Sequence, residues 1–310
     1  MMRRRLVLSA CALLLSAAAP AAPKQADDTH RFAVIGHSFG DGGEDRFKQA
    51  IEDASDKALS FVVVTGIKGA GESCTDKLYQ QRRDLLDDAK RPVIVTLAGS
   101  DWTDCRNSAG RSNAIERLNR LREMLYPDQT SLGAKKIQLT RLSMSPRFRS
   151  YAENAHWEVG KVLYATLNLP ANNNHYLAAA GRNSEFEDRL VANRFWLNRL
   201  FAIARRDKLD AVVLFSEGNV QPFLKPPGLG SLLRRAAPAG QDGFAEPRKQ
   251  VTALAQKFGG KVLLVDSAAL PKGAKPGIEW QGNVGHLSVG SGAVEVKVAP
   301  GAEHLFTLAP

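Results

Sequence analysis

Phe32-Ala33-Val34-Ile35-Gly36-His37-Ser38-Phe39-Gly40 is the stretch from which the rest of the chain is best read. Four apolar residues without alternation read as a strand buried on both faces, and Gly36 ends it. Immediately downstream, residues 44–59 place Phe47, Ile51, Ala54 and Ala58 at helical spacing. Residues 61–65 form a second β-branched run, and residues 75–88 are helical with Leu78, Leu85 and Leu86 on one side. Residues 92–97 make a third strand. This β-α-β-α-β order predicts an α/β fold with a parallel sheet. Ligand sites of such sheets lie at the carboxyl ends of the strands. Here those ends are the loops 36–41, 66–74 and 98–105.

Further along, residues 113–126 read as a helix and residues 157–169 as paired strands around Gly160. Residues 184–208 form the longest helix, opened by a capping box of Ser184 and Glu187. A buried strand at 211–215, a helix at 244–258 and a strand at 261–265 follow, and residues 284–308 read as short alternating strands. Residues 225–243, with three prolines and four glycines, form a long surface loop whose composition permits a lid, a docking surface or a merely disordered segment. There are no internal repeats.

The N-terminus reads as an export signal. Arg3, Arg4 and Arg5 precede an apolar or small run over 6–19, and Ala19-Pro20-Ala21 offers a small-residue cleavage site. The expectation is a signal peptide at 1–21 and a single domain over 22–310, periplasmic or secreted. The apolar run is shorter than the roughly 20 residues a membrane-spanning helix needs. An alternative is a lipoprotein anchored through Cys11, because Leu8-Ser9-Ala10-Cys11 resembles a lipobox. Cys74 and Cys105 remain after cleavage, and two cysteines in an oxidising compartment most often pair. No C-x-x-C or Cys/His cluster favours a metal pair or a reactive thiol instead.

The formal charge is +10, and three of those charges are the leader arginines. The remainder alternates with acids along predicted helices, a pattern of solvated faces and not of a nucleic-acid groove. A ligand of unknown identity is the partner this balance allows, and an anionic one suits the positive charge. His156, His175 and His304 lack metal-ligand spacing.

Two chemistries compete for the loops. Gly36-His37-Ser38-Phe39-Gly40 is a G-x-S-x-G after a strand, and Asp266 and His286 follow in the order of a serine-hydrolase triad. Such an elbow normally follows several strands, whereas this one ends the first. The other chemistry rests on matches spread through the chain. They are Trp102-Thr103-Asp104-Cys105, Ile115-Glu116-Arg117-Leu118 with Leu121-Arg122, and Ser131-Leu132-Gly133. Phe61-Val62-Val63, Thr65-Gly66, the run from Ile67-Lys68 to Cys74, Asn172-Asn173-Asn174 and Trp196-Leu197 extend them. On these the chain resembles an exported branch of the calcineurin-like metallophosphoesterase superfamily over nearly all of residues 22–310. The resemblance implies a sandwich of two mixed β-sheets flanked by helices. In that family two cations at the strand-end loops polarise the phosphate and activate water. Trp102 and Asp104 sit beside Cys105, where a structural role near the presumed disulfide is the simpler account.

The departures from the family pattern bear on activity. The first loop carries Gly36-His37-Ser38 where an aspartate is expected, and Thr65-Gly66 runs into Ile67 without the bridging aspartate. Ser100-Asp101 replaces the asparagine loop, Ser216-Glu217-Gly218-Asn219 occupies a later histidine position, and Val265-Asp266-Ser267-Ala268 lacks its histidine. Without a carboxylate between them, two adjacent cations repel. The resemblance therefore implies a catalytically impaired pseudoenzyme with no cofactor and a remnant pocket of His37, Ser100, Asp101, Asn172, Glu217, Asn219 and Asp266. The alternatives are an active phosphoesterase with Mn, Fe or Zn at a reduced site built on His37 and Asp101, and a serine hydrolase using Ser38, Asp266 and His286.

Overall fold

A computed structural model describes residues 28–39, 43–178, 183–223 and 241–309. The expected signal peptide, Cys11, Gly40 and most of the 225–243 loop lie outside the described residues. The opening stretch falls in β1 (His30–Ile35), followed by α1 (Gly43–Ser55), β2 (Phe61–Thr65), α2 (Asp76–Asp87) and β3 (Val93–Thr96). β1 pairs parallel with β2, and β2 with β3, as the β-α-β-α-β reading requires. Next come a short turn of helix α3 (Gly99–Trp102), α4 (Ala114–Leu125), β4 (Thr140–Arg141), β5 (Ala155–Val159) and β6 (Val162–Thr166). The chain continues through α5 (Ser184–Arg206), β7 (Ala211–Phe215), α6 (Ala245–Gln256) and β8 (Lys261–Asp266). It closes with β9 (Glu279–Gln281), β10 (Val284–Ser288), β11 (Ala293–Val298) and β12 (Phe306–Leu308).

The strands form two mixed sheets, ordered β12-β11-β1-β2-β3 and β4-β5-β6-β7-β8-β10-β9. Alternate residues along each buried strand point to opposite faces, which explains why these runs show no polar alternation. Phe32, Val34, Phe61, Val63 and Ile94 face Tyr164, Phe215, Leu263, Val265 and Leu287 of the other sheet. Their neighbours Ala33, Ile35, Val62 and Val64 pack on Phe47, Ile51, Leu86 and Leu118 of the helices outside the first sheet. Leu163, Val212, Leu214 and Leu264 do the same with Trp196, Leu200, Val251 and Leu254 outside the second. The result is helices, sheet, sheet, helices. The inner layer is rich in rings, with Phe32 and Phe61 stacked at 5.1 Å and Phe61 edge-on to Trp157 at 5.2 Å.

One local expectation is corrected. The cap of α5 is Asn183, not Ser184, and its side chain makes no cap bond. Asn183 instead pairs through its amide with both Leu177 N and Leu177 O. The paired strands around Gly160 are β5 and β6, antiparallel, with Gly160 at a φ of 57° in the turn.

Candidate functional site

The loops after β2 and β3 of the first sheet and after β6 and β7 of the second meet at one edge of the sandwich. A disulfide between Cys74 and Cys105, with a Cα–Cα distance of 5.8 Å, ties the loops after β2 and β3 together as expected. Gly66 makes the close packing possible, because it adopts a φ of +72°. A Cβ there would sit 2.5 Å from His37 Cδ2 and 2.8 Å from Ala98 Cβ.

Asp101 is wholly buried in α3. Its Oδ1 accepts from Ile67 N (2.9 Å) and Lys68 N (3.1 Å), and its Oδ2 accepts from Ala98 N (2.8 Å). Burial pushes its carboxyl above the usual range, while the backbone donors and the charges of His37 and Lys68 pull the other way. Lys68 is also buried, and its Nζ donates to Gly69 O (2.7 Å) and Ser100 O (2.6 Å). Desolvation lowers the Lys68 ammonium, against the field of Asp101, Glu72 and Asp104. His37 Nε2 lies 3.0 Å from Lys68 O and 2.9 Å from Ser100 Oγ, and that hydroxyl donates to Lys68 O at 2.9 Å. Behind this cluster, buried Arg82 holds the loop with its Nε on Ile67 O (3.1 Å) and its guanidinium on Glu72 (2.8 Å) and Glu44 (2.7 Å).

Glu217, after β7, joins the two sheets. Its Oε2 accepts from Gly99 N (2.6 Å) and Ala171 N (2.7 Å), and burial raises its carboxyl. Asn172 is exposed and donates to Thr103 Oγ1 (2.9 Å) on the same 99–103 turn. His37, Ser100, Asp101, Glu217 and Asn172 are thus brought together around that turn. Asn219 is bonded instead within its own loop, accepting from Gln221 N at 2.9 Å.

Asp266 belongs to a second group. Its Oδ2 is 2.7 Å from His286 Nε2, and its Oδ1 accepts from Ser288 Oγ (2.7 Å) and Ala268 N (3.0 Å). The parallel pairing of β8 with β10 produces this, because Asp266 stands opposite Ser288 in the register. The Asp266–His286 pair of the triad reading is therefore formed. Ser38 does not join it: Ser38 Oγ is buried without a hydrogen-bond partner among the described residues. A triad uses one ring nitrogen on the carboxylate and the other on the nucleophile. Here Nε2 meets Asp266, and Ser288 donates to the carboxylate.

Lys68 and Arg82 belong to this candidate site, though the sequence reading gave neither a site role. A lysine in a loop ordinarily reaches solvent, so nothing local marks Lys68 as buried. Trp102 is buried as well, edge-on to His175 at 4.7 Å with the Arg189 guanidinium 5.9 Å from its ring, in keeping with a structural role. Among the described residues no group of three His, Cys, Asp or Glu side chains is arranged to hold a metal ion, and no helix is long and apolar enough to cross a membrane. A scan against protein-family models and a search of curated proteins both find no match to this chain.

Proposed function

We propose that the chain is an exported protein of calcineurin-like metallophosphoesterase fold in which the dinuclear centre has been replaced by fixed internal charges, leaving a non-catalytic binding or structural role. The observation that carries this reading is Lys68. Its ammonium is buried on the carbonyls of Gly69 and Ser100 and feels Asp101 through space, and Asp101 has both oxygens engaged by backbone N–H groups. The donor set does not fit a pair of cations. At an effective dielectric of about 20, a divalent ion placed ~5 Å from that ammonium is repelled by about 7 kcal/mol. Three of the roughly four lone-pair sites of Asp101 are already taken by backbone N–H groups, so bidentate or bridging ligation would displace donors at about 1–3 kcal/mol each when left buried and unpaired. The two-sheet sandwich and the convergence of the strand-end loops support the family assignment; Lys68 and Asp101 support the loss of chemistry.

The test is hydrolysis of bis(p-nitrophenyl) phosphate with added Mn²⁺, Fe²⁺ or Zn²⁺. The rate is expected to equal that of the metal in buffer. Metal-dependent turnover that disappears in Asp101→Asn would establish the reduced-site phosphoesterase instead. Labelling by a fluorophosphonate that is lost in Ser38→Ala would establish the serine hydrolase.

A further inference from the structure

At the edge of the second sheet opposite the strand-end loops, the ends of α5 and α6 and the starts of β7 and β8 border a shallow, solvent-open cavity of about 680 Å³. That volume lies within the range of small-ligand pockets. Arg205, Lys208, Lys257 and Lys261 line it, all exposed, with Asp210 the single carboxylate among the lining residues. None of the four cations has an ion-pair partner among the described residues; Lys261 Nζ instead sits 5.0 Å from the Trp280 ring centroid. Cations at helix C-termini are ordinary, since each macrodipole places about half a negative charge there. Two such ends and Asp210 offset about two of the four charges, so an excess of about +2 remains.

The turn between α6 and β8 adds donors. Asn283 Nδ2 donates to Ala255 O, Phe258 O and Gly260 O, which occupies acceptors of this turn. The N–H groups of Gly259 and Gly260 have no acceptor among the described residues. Gly260 is needed for packing, because a Cβ there would lie 2.3 Å from Asp210 O. Gly259 has no such reason: its φ is not in the left-handed region, and a Cβ would meet nothing within 4 Å. It leaves bare backbone open beside the four cations. Surplus positive charge with unfilled N–H donors is the chemistry that receives phosphate oxygens.

We infer that this cavity binds a small soluble anion carrying phosphate groups with at least two negative charges. Calorimetric titration of the purified chain with inorganic pyrophosphate at low salt tests it. Saturable binding is expected, weakened at least tenfold in Lys208→Glu/Lys257→Glu. Arg46→Glu/Lys77→Glu makes the same change in net charge at exposed positions outside the cavity, and binding there is expected to stay within about threefold. Gly259→Val, which fills the open space without altering charge, is expected to weaken binding as well. Absence of pyrophosphate binding, equal losses in the two charge-reversal variants, or association only with phosphatidylglycerol vesicles would overturn the inference.

Discussion

Asp101 commits two oxygens to three backbone N–H groups and compensates Lys68 through space. In Asp101→Asn a single amide oxygen replaces the two carboxylate oxygens, so a backbone donor faces an amide NH₂ and Lys68 loses the carboxylate that acts on it most strongly. The expected cost is about 2–4 kcal/mol, read as a lower urea midpoint. Glu217 behaves differently, because one oxygen takes both bonds and a glutamine carbonyl can do the same. Glu217→Gln is expected to cost under about 1 kcal/mol and Glu217→Ala about 2–4 kcal/mol, the latter leaving two buried N–H groups unpaired. The pH dependence has a definite sign. Burial raises the folded carboxyl, so stability from its protonated form is present below the unfolded value of about 4.3 and is lost as pH rises through the folded value. Glutamine does not titrate, so the stability of Glu217→Gln relative to the parent should increase across that window. At this scale the sequence showed which polar residues end the strands, Asp101 and Glu217 among them. It did not show their use, because a carboxylate that ligates a cation and one that caps a loop look alike until the neighbouring N–H groups are placed.

The secondary-structure elements were the most legible part. β2 and β7 carry the expected bounds, because a five-residue β-branched run between turn signals has little freedom. β9, Glu279–Gln281, was missed: all three residues are exposed, and three residues with the one apolar side chain Trp280 are too few to show a strand period. α3 was missed because four residues are too few to show a helical period. The pairing of Cys74 with Cys105 followed from compartment and count, and it closes a loop of sequence separation 31. Replacing both cysteines with alanine is expected to lower stability by about 3–4 kcal/mol, measured by urea unfolding without reductant. The turn at Asn173, Asn174 and His175 holds three successive residues at positive φ, near 54°, 54° and 52°. Asparagine tolerates that region better than most residues. Arg189, fully buried, holds the turn through Asn174 O (2.9 Å) and the Asn174 side chain while pairing with Glu185 (2.7 Å). Arg189→Leu is expected to cost about 3–5 kcal/mol, since it strands a carboxylate and buried carbonyls together.

Across the whole molecule, the arrangement of two mixed sheets between helices was implied by resemblance rather than by periodicity. The first three strands predict a parallel sheet, but the antiparallel β11 beside β1 comes from residues more than 250 positions away. Long-range pairing of that kind leaves no local trace. The same limit applies to the strand-end crevice, where Glu217 reaches from the second sheet to the turn after β3 of the first. Under the proposed reading a pair of metals would sit at this edge of the sandwich, where the structure places a buried ammonium and backbone-bound carboxylates. Elemental analysis of protein produced with Mn, Fe and Zn in the medium, and purified without chelators, tests this most directly. The account predicts metal well below one ion per chain, unchanged in Asp101→Asn; two ions per chain, lost in that variant, would contradict it.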